Sequence, residues 1–125
     1  MGSELDTVVA EVSVDMRTSF DEVRTQHGEL LAQLSDEIDG ACFENFQDDA
    51  FDLWDETCDH FTAKASNRLE NADDQTAAMA MIENVVSSTI SRDSSHDLAL
   101  IAVWAYGPEQ AVDRIRVMIG TGPTL

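Results

Sequence analysis

An all-α bundle of about five helices around a central apolar helix is the fold this sequence predicts, and three observations predict it. The run Leu98 to Tyr106 carries no polar side-chain atom except the tyrosine hydroxyl and the indole N–H. Elsewhere, apolar residues recur at steps of three and four along three long segments, the spacing of one helix face. Capping residues, glycine or proline stand near the segment boundaries. At 125 residues the chain is long enough for one domain to bury roughly two thirds of its unfolded surface.

The first helix is read from Leu5, Val8, Val9, Val12, Met16, Phe20, Val23, His27, Leu30, Leu31, Leu34 and Ile38, and it ends at Asp39-Gly40. Ser3-x-x-Asp6 has the form of a cap, although Met1-Gly2-Ser3 also fits an expression scar. A break near Thr18 or Gly28 is compatible with this helix. Val8, Ala10, Val12, Val14 and Met16 also alternate with period two, which is the competing strand reading.

From Ala41 to Leu69 the helical signal is cleanest. Phe43, Phe46, Ala50, Phe51, Trp54, Cys58, Phe61, Ala65 and Leu69 fall within an arc of about 140°, wide enough for a core face. Asn71-Ala72-Asp73-Asp74 is a polar break with cap residues, and Thr76 to Ile90 resumes a helix through Met79, Ile82, Val85 and Val86. A Ser/Thr-rich link leads to Ser94-x-x-Asp97, a capping box in front of the apolar run. Three alanines in that run favour helix over strand, and a helix apolar on all sides belongs in the centre of a bundle or in a subunit interface.

Gly107-Pro108 ends the run and begins a last helix through Ala111, Val112, Ile115, Met118 and Ile119, with proline in the first turn. Arg114 to Gly120 alternates well enough to be a strand. Were residues 7–16 and 114–119 both strands they would pair, giving an α+β runner-up. Thr121 to Leu125 reads as a loose tail.

Composition bounds the function. No apolar run of about 18 residues and no basic-then-apolar leader occurs, so the sequence predicts a soluble, cytoplasmic protein without a membrane partner. Cys42 and Cys58, on one helix, would lie about 24 Å apart and cannot bridge within the chain. A formal charge of −18 disfavours direct nucleic-acid binding, which needs a basic footprint. Aspartates outnumber glutamates 15 to 10 and Lys64 is the single lysine, the composition of a protein kept hydrated in concentrated salt.

Motifs for enzymatic chemistry are missing: there is no phosphate-cradling glycine loop, no Gly-x-Ser-x-Gly, no His-Glu-x-x-His and no Cys-x-x-Cys. Glu56 with His60, and Asp93 with His96, have carboxylate–histidine spacings. A di-metal bundle needs Glu-x-x-His from two helices and further inward glutamates, and neither pair fits. No cofactor or metal is therefore expected. Cys58 reads as a small buried hydrophobe.

Charge is distributed unevenly. Residues 1–59 hold 17 acids and two bases, Arg17 and Arg24, while residues 60–125 hold 8 acids and 5 bases. Asymmetry between halves points to a partner. On the second helix Glu44, Asp48, Asp52, Asp55 and Asp59 fall within about 80° of one another, opposite the aromatic stripe, and Asp49 and Glu56 extend the patch. These carboxylates recur every ~3 to 4 Å along the axis, close to the ~3.4 Å spacing of phosphates on one DNA strand.

The sequence thus predicts a non-enzymatic module whose seven acids engage a positively charged protein. Its sharpest form is a DNA-mimic inhibitor of the anti-restriction or anti-CRISPR type. The alternative is a halophile-adapted structural or assembly subunit, such as a small helical connector of a virus particle, in which case the chain is virion-associated. Trp104 and Tyr106 are the residues expected to complete burial of the apolar helix in a homo-oligomer contact.

Overall fold

The structure, a computed structural model, describes residues 4–120. Its elements are five helices: α1 (Glu4–Asp39), α2 (Phe43–Ser66), α3 (Ala72–Thr89), α4 (Ser95–Tyr106) and α5 (Pro108–Met118). The bundle is all-α, and both strand readings are corrected. In a strand Val8, Ala10, Val12, Val14 and Met16 would share one face. The helix separates them, burying Val8, Val12 and Met16 and leaving Ala10 and Val14 in solvent. Residues 114–118 continue α5, where helical spacing buries Ala111 and Ile115 together. Ser3, as a cap, and the tail Thr121 to Leu125 lie outside the described residues.

α1 is one 36-residue element bent at His27, whose φ of −129° and ψ of 26° leave the helical region. The bend adjoins Gly28, a residue type that lowers helix stability by about 1 kcal/mol relative to alanine. The Gly40 N–H donates to the Asp36 carbonyl at 3.1 Å, closing the last turn of α1. α2 begins two residues later and ends three earlier than the periodicity suggests. Cys42 is extended, and Arg68 and Leu69 bond three residues back in a tightening turn rather than four. α3 begins four residues earlier than Thr76, because the Asn71 side chain accepts from the N–H groups of Asp73 and Asp74, at 2.8 and 3.2 Å.

The capping box before α4 forms only in part. The Ser94 hydroxyl accepts from the Asp97 N–H at 3.2 Å, but the Asp97 carboxylate accepts from the Ser91 N–H at 2.9 Å and so ties down the preceding link. Gly107 turns the chain between α4 and α5 at φ 85°, a conformation open to glycine and strained for other residues. Pro108 then opens α5 with a φ suited to a helix start.

α4 packs against α1, α2 and α5, while α1 touches each of the other four helices. Every residue from Leu98 to Val103 is buried within the single chain. Around this helix one apolar cluster draws on all five elements. At its centre the Phe20 ring meets those of Phe61 and Trp104 edge-on, at 5.8 and 5.6 Å, and Phe61 stacks on Trp104 at 5.1 Å. Such pairs add specific geometry to the area they bury. The buried hydroxyls of Ser13, Thr57 and Thr62 donate to carbonyls of their own helices, so none costs an unmade bond. Among the described residues no helix is long and apolar enough to cross a membrane.

Candidate interaction surface

α2 positions the surface because its inner face is fixed by the core. Phe46, Ala50, Leu53, Trp54, Thr57, Cys58, Phe61 and Ala65 are buried, and the wheel turns the intervening carboxylates outward. Glu44, Asp48, Asp49, Asp52, Asp55, Glu56 and Asp59 are all exposed. Two features at the edges of this face were not read from the sequence.

Towards α3, Asp55 pairs with Arg92 at 3.2 Å. The Arg92 guanidinium also lies 4.0 Å from the Trp54 ring centroid and 5.4 Å from that of Phe51. One cation therefore covers the aromatic edge and neutralises one acid. Beside it, Asp55, Asp59 and Glu83 border a cleft reaching Cys58. The Cys58 thiol is pushed up to about 11, first by burial and then by the charges of Glu83, Asp59 and Asp55. That keeps it protonated at neutral pH, as a small buried hydrophobe.

Towards α5, Asp49, Asp52 and Glu56 border an open groove of about 290 Å³ that Tyr106 and Arg114 share. Arg114 lies over the Tyr106 ring at 4.6 Å, and no carboxylate among the described residues pairs with it. The helical reading of residues 114–118 was the signal available for this groove, since Arg114, Val117 and Met118 share a face by i, i+3, i+4 spacing.

The charge asymmetry between the halves has an internal component. Of the five bases in residues 60–125, four pair with acids from residues 1–59: Lys64 with Asp15, Arg68 with Glu11, Arg92 with Asp55, and Arg116 with Glu37. The Arg116 pair is two-pronged, with the guanidinium donating to both carboxylate oxygens at 2.9 and 3.3 Å. Ser95 donates to Asp39 as well. These contacts serve α1 most. On α2 six of the seven acids have no ion pair among the described residues.

Trp104 and Tyr106 are both partly buried. Trp104 is held by Phe20, Phe61 and the His60 ring, the last at 5.0 Å, and Tyr106 lies beneath Arg114. Burial of Leu98 to Val103 therefore does not depend on a second copy. His60 sits edge-on to Phe61 at 4.9 Å, while His96 is in the first turn of α4, with Nδ1 3.9 Å from Asp97. Among the described residues no three His, Cys, Asp or Glu side chains are grouped to hold a metal ion. Cys42 and Cys58 are free thiols, the first exposed and the second buried.

Compared with models of protein families, with curated proteins and with solved structures, the chain matches none.

Proposed function

We propose that this protein is a non-enzymatic binding module whose α2 face engages a positively charged protein, and that in its sharpest form it is a DNA mimic occupying the nucleic-acid site of a DNA-handling enzyme. The observation that carries the reading is the row of six exposed carboxylates, Glu44, Asp48, Asp49, Asp52, Glu56 and Asp59, without an ion pair among the described residues, on a helix whose other face is locked in the core. Like charges at i, i+4 cost a helix a few tenths of a kcal/mol per pair. A cationic partner offsets that cost, and a line of charge at about phosphate spacing suits a protein built to grip DNA.

The test is displacement of labelled duplex DNA from a panel of restriction and CRISPR nucleases. The chain is expected to release DNA from a member of the panel. A variant carrying Glu44→Gln, Asp48→Asn, Asp52→Asn and Asp59→Asn is expected to release none while keeping its helical circular dichroism. Displacement by that variant at the wild-type concentration would sink the reading.

A second reading, a salt-adapted assembly subunit, is favoured by acids that remain exposed away from α2, among them Glu22, Glu29 and Asp36 on α1. Circular dichroism and sedimentation in about 0.1 M and about 3 M KCl separate the two, because salt screens exposed charges. Folding at the lower salt favours the binding module. Folding only at the higher salt favours the subunit, whose contacts would then be made by apolar surface and would include the expected self-association at Trp104 and Tyr106.

A further inference from the structure

The groove between α2 and the α4–α5 corner has two unlike walls. Asp49, Asp52 and Glu56 line the α2 side. Val117 and Met118 line the α5 side, and Leu53, Ala102 and Ile115 underlie them. Val117 keeps 66% of its surface exposed, more than any other large apolar residue described. An isolated exposed valine needs no explanation, but one at the lip of a groove, facing three carboxylates that make no ion pair among the described residues, does. Arg114 also lines the groove, with its guanidinium over the Tyr106 ring at 4.6 Å, and makes no ion pair with that wall among the described residues, so one cation stands there against three carboxylates.

We infer that this groove docks a basic amphipathic helix of the partner protein, with the helix's cationic stripe on Asp49, Asp52 and Glu56 and its apolar stripe on Val117, Met118 and the floor. Charge complementarity selects the occupant. A purely cationic segment leaves Val117 and Met118 in water, and a purely apolar one leaves three carboxylates desolvated and unpaired. A helix with both stripes satisfies both walls. The inference rests on the acidic-face reading and sharpens it: a recognition helix lies between phosphate-lined walls in a DNA groove, and here it meets one carboxylate wall and one apolar wall.

The probe is a pair of fluorescent synthetic peptides with identical lysine positions, one a Leu/Lys amphipathic helix and the other with serine at each leucine position. Binding to the full chain is read by anisotropy in about 0.1 M KCl. The Leu/Lys peptide is expected to bind about tenfold more tightly than its serine counterpart, the scale of one well-buried apolar side chain. Val117→Ser with Met118→Ser should remove that preference, and Val117→Ser alone, at an exposed position that is not part of the buried cluster, should reduce it. Glu44→Gln with Asp48→Asn, outside the groove, should weaken both peptides equally and leave the preference intact. Equal binding of the two peptides by the wild type, or a preference that survives both groove variants, overturns the groove while the acidic-face reading stands. Binding of both peptides that is indifferent to neutralising Glu44, Asp48, Asp52 and Asp59 overturns the two together.

Discussion

α1 and α2 are the two acid-rich helices of this bundle, and each buries one face around α4. On α1, Glu11, Asp15 and Glu37 reach cations on other parts of the fold, and Asp21 pairs with Arg24 one turn on. On α2, among the described residues, only Asp55 does so. The same residue types therefore serve different ends. α1 uses Glu11, Asp15, Glu37 and Asp39 to hold later elements of the chain against itself, whereas α2 presents all of its carboxylates but Asp55 to solvent without an ion pair among the described residues. Net charge alone does not separate these roles, because it counts a paired acid and an unpaired one alike.

The largest expected effect comes from breaking what the two helices share. Phe20→Ala removes the α1 ring that meets Phe61 of α2 and Trp104 of α4. Phe20 is fully buried, so the loss should be about 3 to 5 kcal/mol, read by denaturant unfolding. A loss below about 1 kcal/mol would mean that α1 and α2 do not depend on a common core.

Cys58 allows the field of α2 to be read from beneath. Its thiol, ordinarily near 9.0, stands at about 11, raised by burial first and by Glu83, Asp59 and Asp55 after it. Because the folded value is the higher one, the associated stability is complete below pH 9 and is lost as pH rises through about 11. In a Cys42→Ser, Tyr106→Phe background, which leaves no phenolate to absorb in the same range, thiolate ultraviolet absorbance should report a single titration there. Asp55→Asn with Asp59→Asn should lower the titration only in part, since burial remains. No movement at all would mean that the carboxylates of α2 do not act at the thiol.

The reciprocal change on α1 should be smaller. Glu11→Gln with Asp15→Asn removes the partners of Arg68 and Lys64, in pairs whose side chains are roughly half exposed, and such pairs contribute about 0.2 to 1 kcal/mol each. Stability should fall by that amount at low salt and less at high salt, while DNA displacement is retained. Loss of displacement with the fold intact would place the binding surface on α1 and erase the distinction between the helices.

Periodicity makes the helices legible in the sequence, because each has to bury an apolar face and does so at a fixed angular step. Asn71, Ser94 and Pro108 were equally legible as starts, since their chemistry acts within one turn. The outward position of the seven α2 acids followed from the same wheel. What could not be read was which acids meet cations. Asp15 finds Lys64 and Glu37 finds Arg116 only after α1 lies against α2 and α5, so the difference between the two charged surfaces belongs to tertiary packing. The groove beside α5 was obscured for a related reason: alternation at Arg114, Arg116 and Met118 suggests a strand until Ile115 is seen to be buried one turn after Ala111.

The smallest expected effect concerns the one backbone feature that also divides the pair, the bend of α1 at His27, for which the shorter α2 has no counterpart. Gly28 stands immediately after it, and a Cβ built there meets nothing within 4 Å. No left-handed conformation protects the glycine, since positive φ is confined to Gly107 and Gly120 among the described residues. Gly28→Ala should therefore stabilise the protein by about 0.4 to 1 kcal/mol, mainly by reducing the freedom of the unfolded chain. A raised midpoint in thermal unfolding is the expected result. A lowered midpoint would mean that the bend needs glycine itself, and that the halves of α1 before and after His27 are set against the bundle by this residue rather than by the burial of Phe20 on one side and Leu31 on the other.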